Sequence, residues 1–142
     1  MKKIIFILSL ISTYYLATTN VDAKDSESKE KAFHHAFHNA KNVHSIEKAN
    51  GITEYDFMKN GQYVAAFIDN SGKIIETDYE TAFSELPQRA KTLIHNSYAN
   101  SVIYDVTKVV YESNYFYKVR MEAGGLSYYM AITPEGEVTI GF

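Results

Sequence analysis

From residue 30 the apolar positions fall at Ala32, Phe33, Ala36, Phe37 and Ala40. Steps of three and four place them on one face of a helix, which the pattern predicts to end near residue 42. The period then changes. A weak strand is expected over 43–48, and stronger alternating runs occupy 52–58 and 62–68. Asn60-Gly61 between those two runs signals a tight hairpin, because a type I′ turn needs positive φ at both central residues. The turn at 69–72 leads to a further strand over 73–79. Helical spacing returns with Leu86, Ala90, Leu93, Ile94 and Ser97. Ser84 stands as a candidate N-cap there, with Pro87 inside the first turn. Strand-like runs follow over 101–112, 115–122, 126–133 and 138–142, separated by Gly124-Gly125 and Pro134-Glu135-Gly136.

The second half repeats the pattern of the first at an offset of 64 (124 − 60). Asn60-Gly61 falls on Gly124-Gly125 and Gly72 on Gly136, while Val64, Ala66 and Ile68 fall on Tyr128, Met130 and Ile132. The reading is a tandem α-β-β-β-β repeat, residues 30–80 and 84–142, forming one α+β domain. The turns also predict register. Met121 should face Tyr128, Val119 Met130, and Tyr117 Ile132, in one apolar face continued by Val138, Ile140 and Phe142. Phe57 should face Val64 and Tyr55 should face Ala66. Two helices are expected to cover that face of an antiparallel sheet of seven or eight strands.

The opposite face is expected to stay open. It carries Phe116, Lys118, Arg120, Glu122, Ser127, Tyr129, Ala131 and Thr139, with Glu54, Asp56, Met58, Tyr63, Ala65 and Phe67 from the first half. Such a face can be ordinary solvated surface, and Tyr and Phe also favour strands for their own reasons. Aromatic residues and Arg are nonetheless the residue types enriched at interface hot spots. Phe116, Lys118, Arg120, Tyr129, Tyr63 and Phe67 are therefore the candidate partner-binding residues.

The N-terminus alters the setting. Lys2 and Lys3 precede the apolar stretch 4–17, and Val21-Asp22-Ala23 suits cleavage before Lys24. That stretch is about fourteen residues, short of the roughly twenty a spanning helix needs. Residues 1–23 thus read as a signal peptide, 24–29 as a flexible lead-in and 30–142 as the domain, working in the periplasm or outside the cell with no membrane span after cleavage. Cleavage leaves 12 basic and 16 acidic residues (14 − 2 and 17 − 1). A mildly acidic chain without a basic run argues against nucleic acid as a partner. With no cysteine, disulfides, thiolate metal sites and a cysteine nucleophile are excluded.

Other chemistry is sparse. His34 and His38 stand at i, i+4 on the first helix, a spacing that can place two imidazoles on one metal ion, but no HExxH motif accompanies them. A solvated helix flank explains them as well. No GxSxG elbow and no phosphate-cradling Gly-rich loop is present. Glu54 with Asp56, and Asp78 with Glu80, form carboxylate pairs on single strand faces, a spacing also found on plain polar surface. Asp69-Asn70-Ser71-Gly72 lacks the ligand run of a calcium loop and reads as a turn.

These residues resemble a family. The helix FHHAFHNAKNV, the hairpin ITEYDFMKNGQYVAAF, the turn DNSGKII, the helix start SELPQRAKTLI and the hairpin YFYKVRMEAGGLSYYMAITPEGEV are similar, over about residues 30–142, to PepSY-like domains described as β-lactamase-inhibitor-like and common among exported Bacteroidota proteins. Glu85-Leu86-Pro87 and Asp69, Gly72 and Lys73 carry the family's punctuation. The resemblance implies a β-lactamase-inhibitor-protein-like fold whose sheet face grips a target. The expectation is an exported, non-catalytic module with a protein partner, inhibitory or otherwise, and no cofactor. The alternative is an envelope protein that binds a small molecule or metal.

Overall fold

The structure, a computed structural model, describes residues 23–141; the remainder of the expected export segment, and Phe142, lie outside the described residues. Helix α1 (Ala23–Ala36) is followed by strands β1 (Lys41–Glu47), β2 (Thr53–Lys59), β3 (Gln62–Ile68) and β4 (Ile74–Thr81). Helix α2 (Gln88–Ser97) then precedes β5 (Val102–Tyr111), β6 (Asn114–Ala123), β7 (Leu126–Ile132) and β8 (Val138–Gly141). The eight strands form one antiparallel sheet in the order of the chain.

The predicted registers are the observed ones. Met121 pairs with Tyr128, Val119 with Met130 and Tyr117 with Ile132. Phe57 pairs with Val64 and Tyr55 with Ala66. Asn60, Gly61, Gly124 and Gly125 all have positive φ, the backbone the two hairpin turns demand. At the next turn of each half, Asp69 and Thr133 occupy corresponding places. The Gly72 N–H donates to the Asp69 carbonyl and the Gly136 N–H to the Thr133 carbonyl, both at 2.9 Å. A Cβ on Gly136 would stand 3.0 Å from Arg89 Cβ, and one on Gly72 2.9 Å from Ser28 Oγ. The turn at Gly136 thus closes against the start of α2, and that at Gly72 against Ser28 and Ala32 within α1.

Each helix covers one half of the apolar face. Phe33 and Phe37 of α1 pack on Tyr55, Phe57, Val64, Ala66 and Ile68. The Phe33 ring stacks on Tyr55 at 4.4 Å and meets Phe57 edge-on at 5.1 Å. Leu86, Ala90 and Ile94 of the second half pack on Val106, Tyr117, Val119, Met121, Met130 and Ile132. Burying one such large side chain stabilises the fold by roughly 1.5–3 kcal/mol.

Boundaries differ from the sequence reading in three places. Residues 24–29 are helical, and Glu27–Lys31 at 2.5 Å supplies an i, i+4 ion pair to that turn. Helix α1 ends at Ala36, short of residue 42, because Lys41–Glu47 is drawn into pairing with β2. Ser84 is not an N-cap: Phe83–Glu85 forms a short 3-10 turn, and α2 begins only after Pro87. Leu86, held extended at ψ 148, is the residue that proline excludes from helical geometry. Leu93 and Ser97 consequently face outward, with Leu93 39% exposed. Ile140, expected in the apolar face, is exposed on the last strand.

The edge strand β1 buries none of its residues. Beyond its backbone pairing with β2, an ion pair ties it to α1. Lys29 of α1 is only 1% exposed, and its Nζ stands 2.9 Å from Glu47 Oε1. Thr53 Oγ1 donates to Glu47 Oε2 at 2.5 Å. Removing Glu47 would strand a buried ammonium, whereas removing the lysine charge leaves a carboxylate that already meets water. Glu47→Ala should therefore cost about 2–3 kcal/mol and Lys29→Met less than about 1 kcal/mol in urea unfolding. Equal losses would contradict this account of the strand's attachment.

Candidate functional site

The face left uncovered by the helices is ordered in rows by the strand pairing. One row runs Asp56, Ala65, Asp78, Val109, Phe116 across β2 to β6. The next brings Glu80 of β4 beside Thr107, then Lys118 and Ala131. A third brings Asp105 beside Arg120, then Tyr129. Together they form a depression of about 400 Å3 lined by Glu54, Asp56, Tyr63, Ala65, Asp78, Glu80, Asp105, Thr107, Lys118, Arg120 and Tyr129. Six neighbouring strands contribute to it.

Four of the six residues singled out in the sequence, Tyr63, Lys118, Arg120 and Tyr129, line this depression. Phe67 and Phe116 share the face but do not line it. Phe67 lies between Glu54 and Glu76. Phe116 is half-buried beside Val109, with its ring 6.1 Å from that of Tyr111. Packing within the sheet already occupies it.

The positive charges of the depression are engaged within the fold. Arg120 Nε donates to Asp105 Oδ2 at 2.6 Å, and the guanidinium carbon stands 5.3 Å from the centre of the Tyr104 ring. The Tyr104 hydroxyl in turn donates to Glu122 Oε2 at 2.6 Å. The hydrogen bond to Asp105 and that carboxylate's charge raise the Arg120 pKa above its already high ordinary value. Lys118 Nζ stands 3.9 Å from Asp78 Oδ2, and Lys48 pairs with Glu54 at the margin. Asp105 escaped the sequence reading because a register shift between Ile103 and Asp105 resets the alternation of β5.

Asp78 is the most perturbed acid of the face. Its side chain is 15% exposed. Burial, then the charge of Glu76, raises its pKa to about 7 against the opposing pull of Lys118. Burial likewise raises Glu76. Asp78 Oδ1 is sealed from solvent and has no hydrogen-bond donor among the described residues, a burial that disfavours the ionised form. Tyr63 is pushed up to about 12, first by desolvation and then by its hydrogen bond to Asp56. The sequence offered a signal for this cluster: Glu76, Asp78 and Glu80 alternate along one strand face.

The histidine pair lies elsewhere. His34 is exposed on α1, with Nε2 3.7 Å from Glu30 Oε1, but His38 lies in the turn beyond Ala36, so the two do not share a helix as their spacing predicted. No group of three or more His, Asp or Glu side chains suited to a metal ion occurs among the described residues. No helix among them is long and apolar enough to cross a membrane.

Family models and curated proteins give no match to the chain. Solved structures do. A Bacteroides eggerthii protein described as a candidate periplasmic protein superposes with a TM-score of 0.74 at 16% identity, covering 81% of this chain and 86% of that one. A DUF2874 family protein from Bacteroides uniformis gives 0.72 at 17% identity, covering 85% and 88%. A BLIP-like protein from Bacteroides fragilis gives 0.68 at 20% identity, covering 80% and 82%. The chain thus shares the fold of BLIP-like and DUF2874 proteins of Bacteroides: two helices against one face of an eight-stranded antiparallel sheet.

Proposed function

We propose that this chain is an exported, non-catalytic binding module, PepSY-like and built as a tandem repeat, that docks a partner protein through its open sheet face. The observation that carries the reading is the convergence of Tyr63, Tyr129, Lys118 and Arg120 from three strands onto one uncovered depression. Tyr63 and Tyr129 are 44% and 45% exposed, large amphipathic side chains with no helix over them. Arg120 is held in place by Asp105 before any partner arrives, so little side-chain freedom remains to be lost on binding. The shared fold with a BLIP-like protein supports a docking role at the level of architecture. Equivalent turn hydrogen bonds at Asp69 and Thr133 support the repeat. Where the docked surface includes a partner's active site, the module would inhibit it.

The charge of this face depends on pH through Glu76 and Asp78. The folded-state pKa of Asp78 lies above its ordinary 3.8, so the native protein keeps a proton that the unfolded chain releases. Its stabilising contribution is complete below about pH 3.8 and fades as pH rises through about 7. Asp69 works in the opposite sense: its lowered pKa, set first by the Ser71 hydroxyl, stabilises at neutral pH and is lost on acidification. Replacing Asp78 isolates the first effect.

Two outcomes are expected. Used as bait against the organism's envelope extract, the protein and a Leu93→Ala control on α2 should recover the same partner. A Tyr63→Ala, Tyr129→Ala variant should lose it by about 30-fold or more, as hot-spot truncation does; undiminished recovery would refute docking through this face. In thermal melts, the Tm of Asp78→Asn relative to the unaltered protein should climb between about pH 4 and pH 7 and then level off. A difference constant with pH would contradict the raised pKa of Asp78.

A further inference from the structure

The depression is unevenly charged. Five carboxylates line it, Glu54, Asp56, Asp78, Glu80 and Asp105, against Lys118 and Arg120. Ion pairs account for three of them: Arg120 takes Asp105, Lys118 takes Asp78 and Lys48 takes Glu54. Asp56 and Glu80 have no cationic partner among the described residues. They stand on either side of β3, where Ala65 forms the floor and Tyr63 the neighbouring wall. Cβ atoms of directly paired residues lie about 5 Å apart, so Asp56 and Asp78 rise about 10 Å from one another across the methyl group of Ala65. That gap admits one guanidinium or ammonium group.

We propose that the partner presents a basic segment to this face, and that an arginine or lysine side chain enters the slot over Ala65 between Asp56, Asp78 and Glu80. The inference rests on the reading of the open face as a docking surface and specifies the chemistry of what docks. Charge complementarity carries it. The exposed Tyr63 ring beside the slot offers a π face to the same cation. Carboxylates gathered in one depression attract a cation more strongly than isolated surface charges do. An anionic segment meets the reverse: it would face two carboxylates with no cation of their own, while both positive side chains of the depression are already engaged.

The test is fluorescence anisotropy with the purified protein and a fluorescein-labelled octa-arginine peptide, beside an octa-glutamate peptide and spermine as competitor. Octa-arginine should bind saturably and octa-glutamate should not. Asp56→Asn with Glu80→Gln should weaken octa-arginine by about 10-fold. Glu135→Gln with Glu137→Gln removes the same charge from exposed positions elsewhere and should change binding by less than about twofold. Circular dichroism melts establish that both variants are folded. Absence of saturable octa-arginine binding, or equal weakening in both variants, would overturn the proposal. Spermine binding the slot as tightly as the peptide would overturn it in favour of a small polycation. If octa-arginine fails while the Tyr63→Ala, Tyr129→Ala variant still loses its captured partner, only the basic character of the partner is refuted; if that variant also keeps its partner, docking through this face falls with it.

Discussion

Strand register is the constraint on which the rest of this molecule depends. Side chains alternate between the two faces of the sheet, so a slip of one residue would send Phe57, Val119 and Met130 into water and Asp56, Lys118 and Tyr129 under the helices. The two-residue turns at Asn60-Gly61 and Gly124-Gly125 prevent that slip, because their positive φ values fit only one way of joining the strands. Asp56, Tyr63, Lys118, Arg120 and Tyr129 are therefore brought to the open face by turn residues that do not line the depression. The helices then read the same parity from the other side, each filling one half of the apolar face.

Once the parity is set, the face acquires properties that no single strand has. Asp78 is paired with Ala65 on one side and Val109 on the other, and those small or apolar neighbours withdraw it from water. Its perturbation is a consequence of strands that lie far apart in the chain meeting side by side. Arg120 is steadied by Asp105 and Tyr104 from the adjacent strand, which converts a flexible charge into a fixed one. A surface whose charges are partly buried and already oriented has less to reorganise when a complementary group arrives.

The hairpin registers and the division of the chain into two covered halves were legible in the sequence, because turn chemistry and period-two alternation are local signals. The start of α2 was legible in principle as well: a residue before proline is barred from helical geometry, and Leu86 obeys that rule. Three features were not legible. The ion pair of Asp105 with Arg120 depends on an irregularity in β5 that alternation cannot reveal. The distinction between Tyr63 and Tyr129, which line the depression, and Phe67 and Phe116, which do not, depends on cross-strand neighbours. The burial of Lys29 against Glu47 depends on how α1 lies over an edge strand that carries almost no apolar signal.

The central claim, that the open face is where this module meets its partner, is tested most directly by carboxyl footprinting. The protein would be labelled at its carboxylates alone and in the presence of the organism's envelope extract, and the sites read by mass spectrometry. The account predicts that Asp56 and Glu80 become protected while Glu135 and Glu137, at the far turn, react as before. Unchanged labelling of Asp56 and Glu80, with protection confined to carboxylates on the helix-covered side such as Glu27 and Glu85, would contradict it.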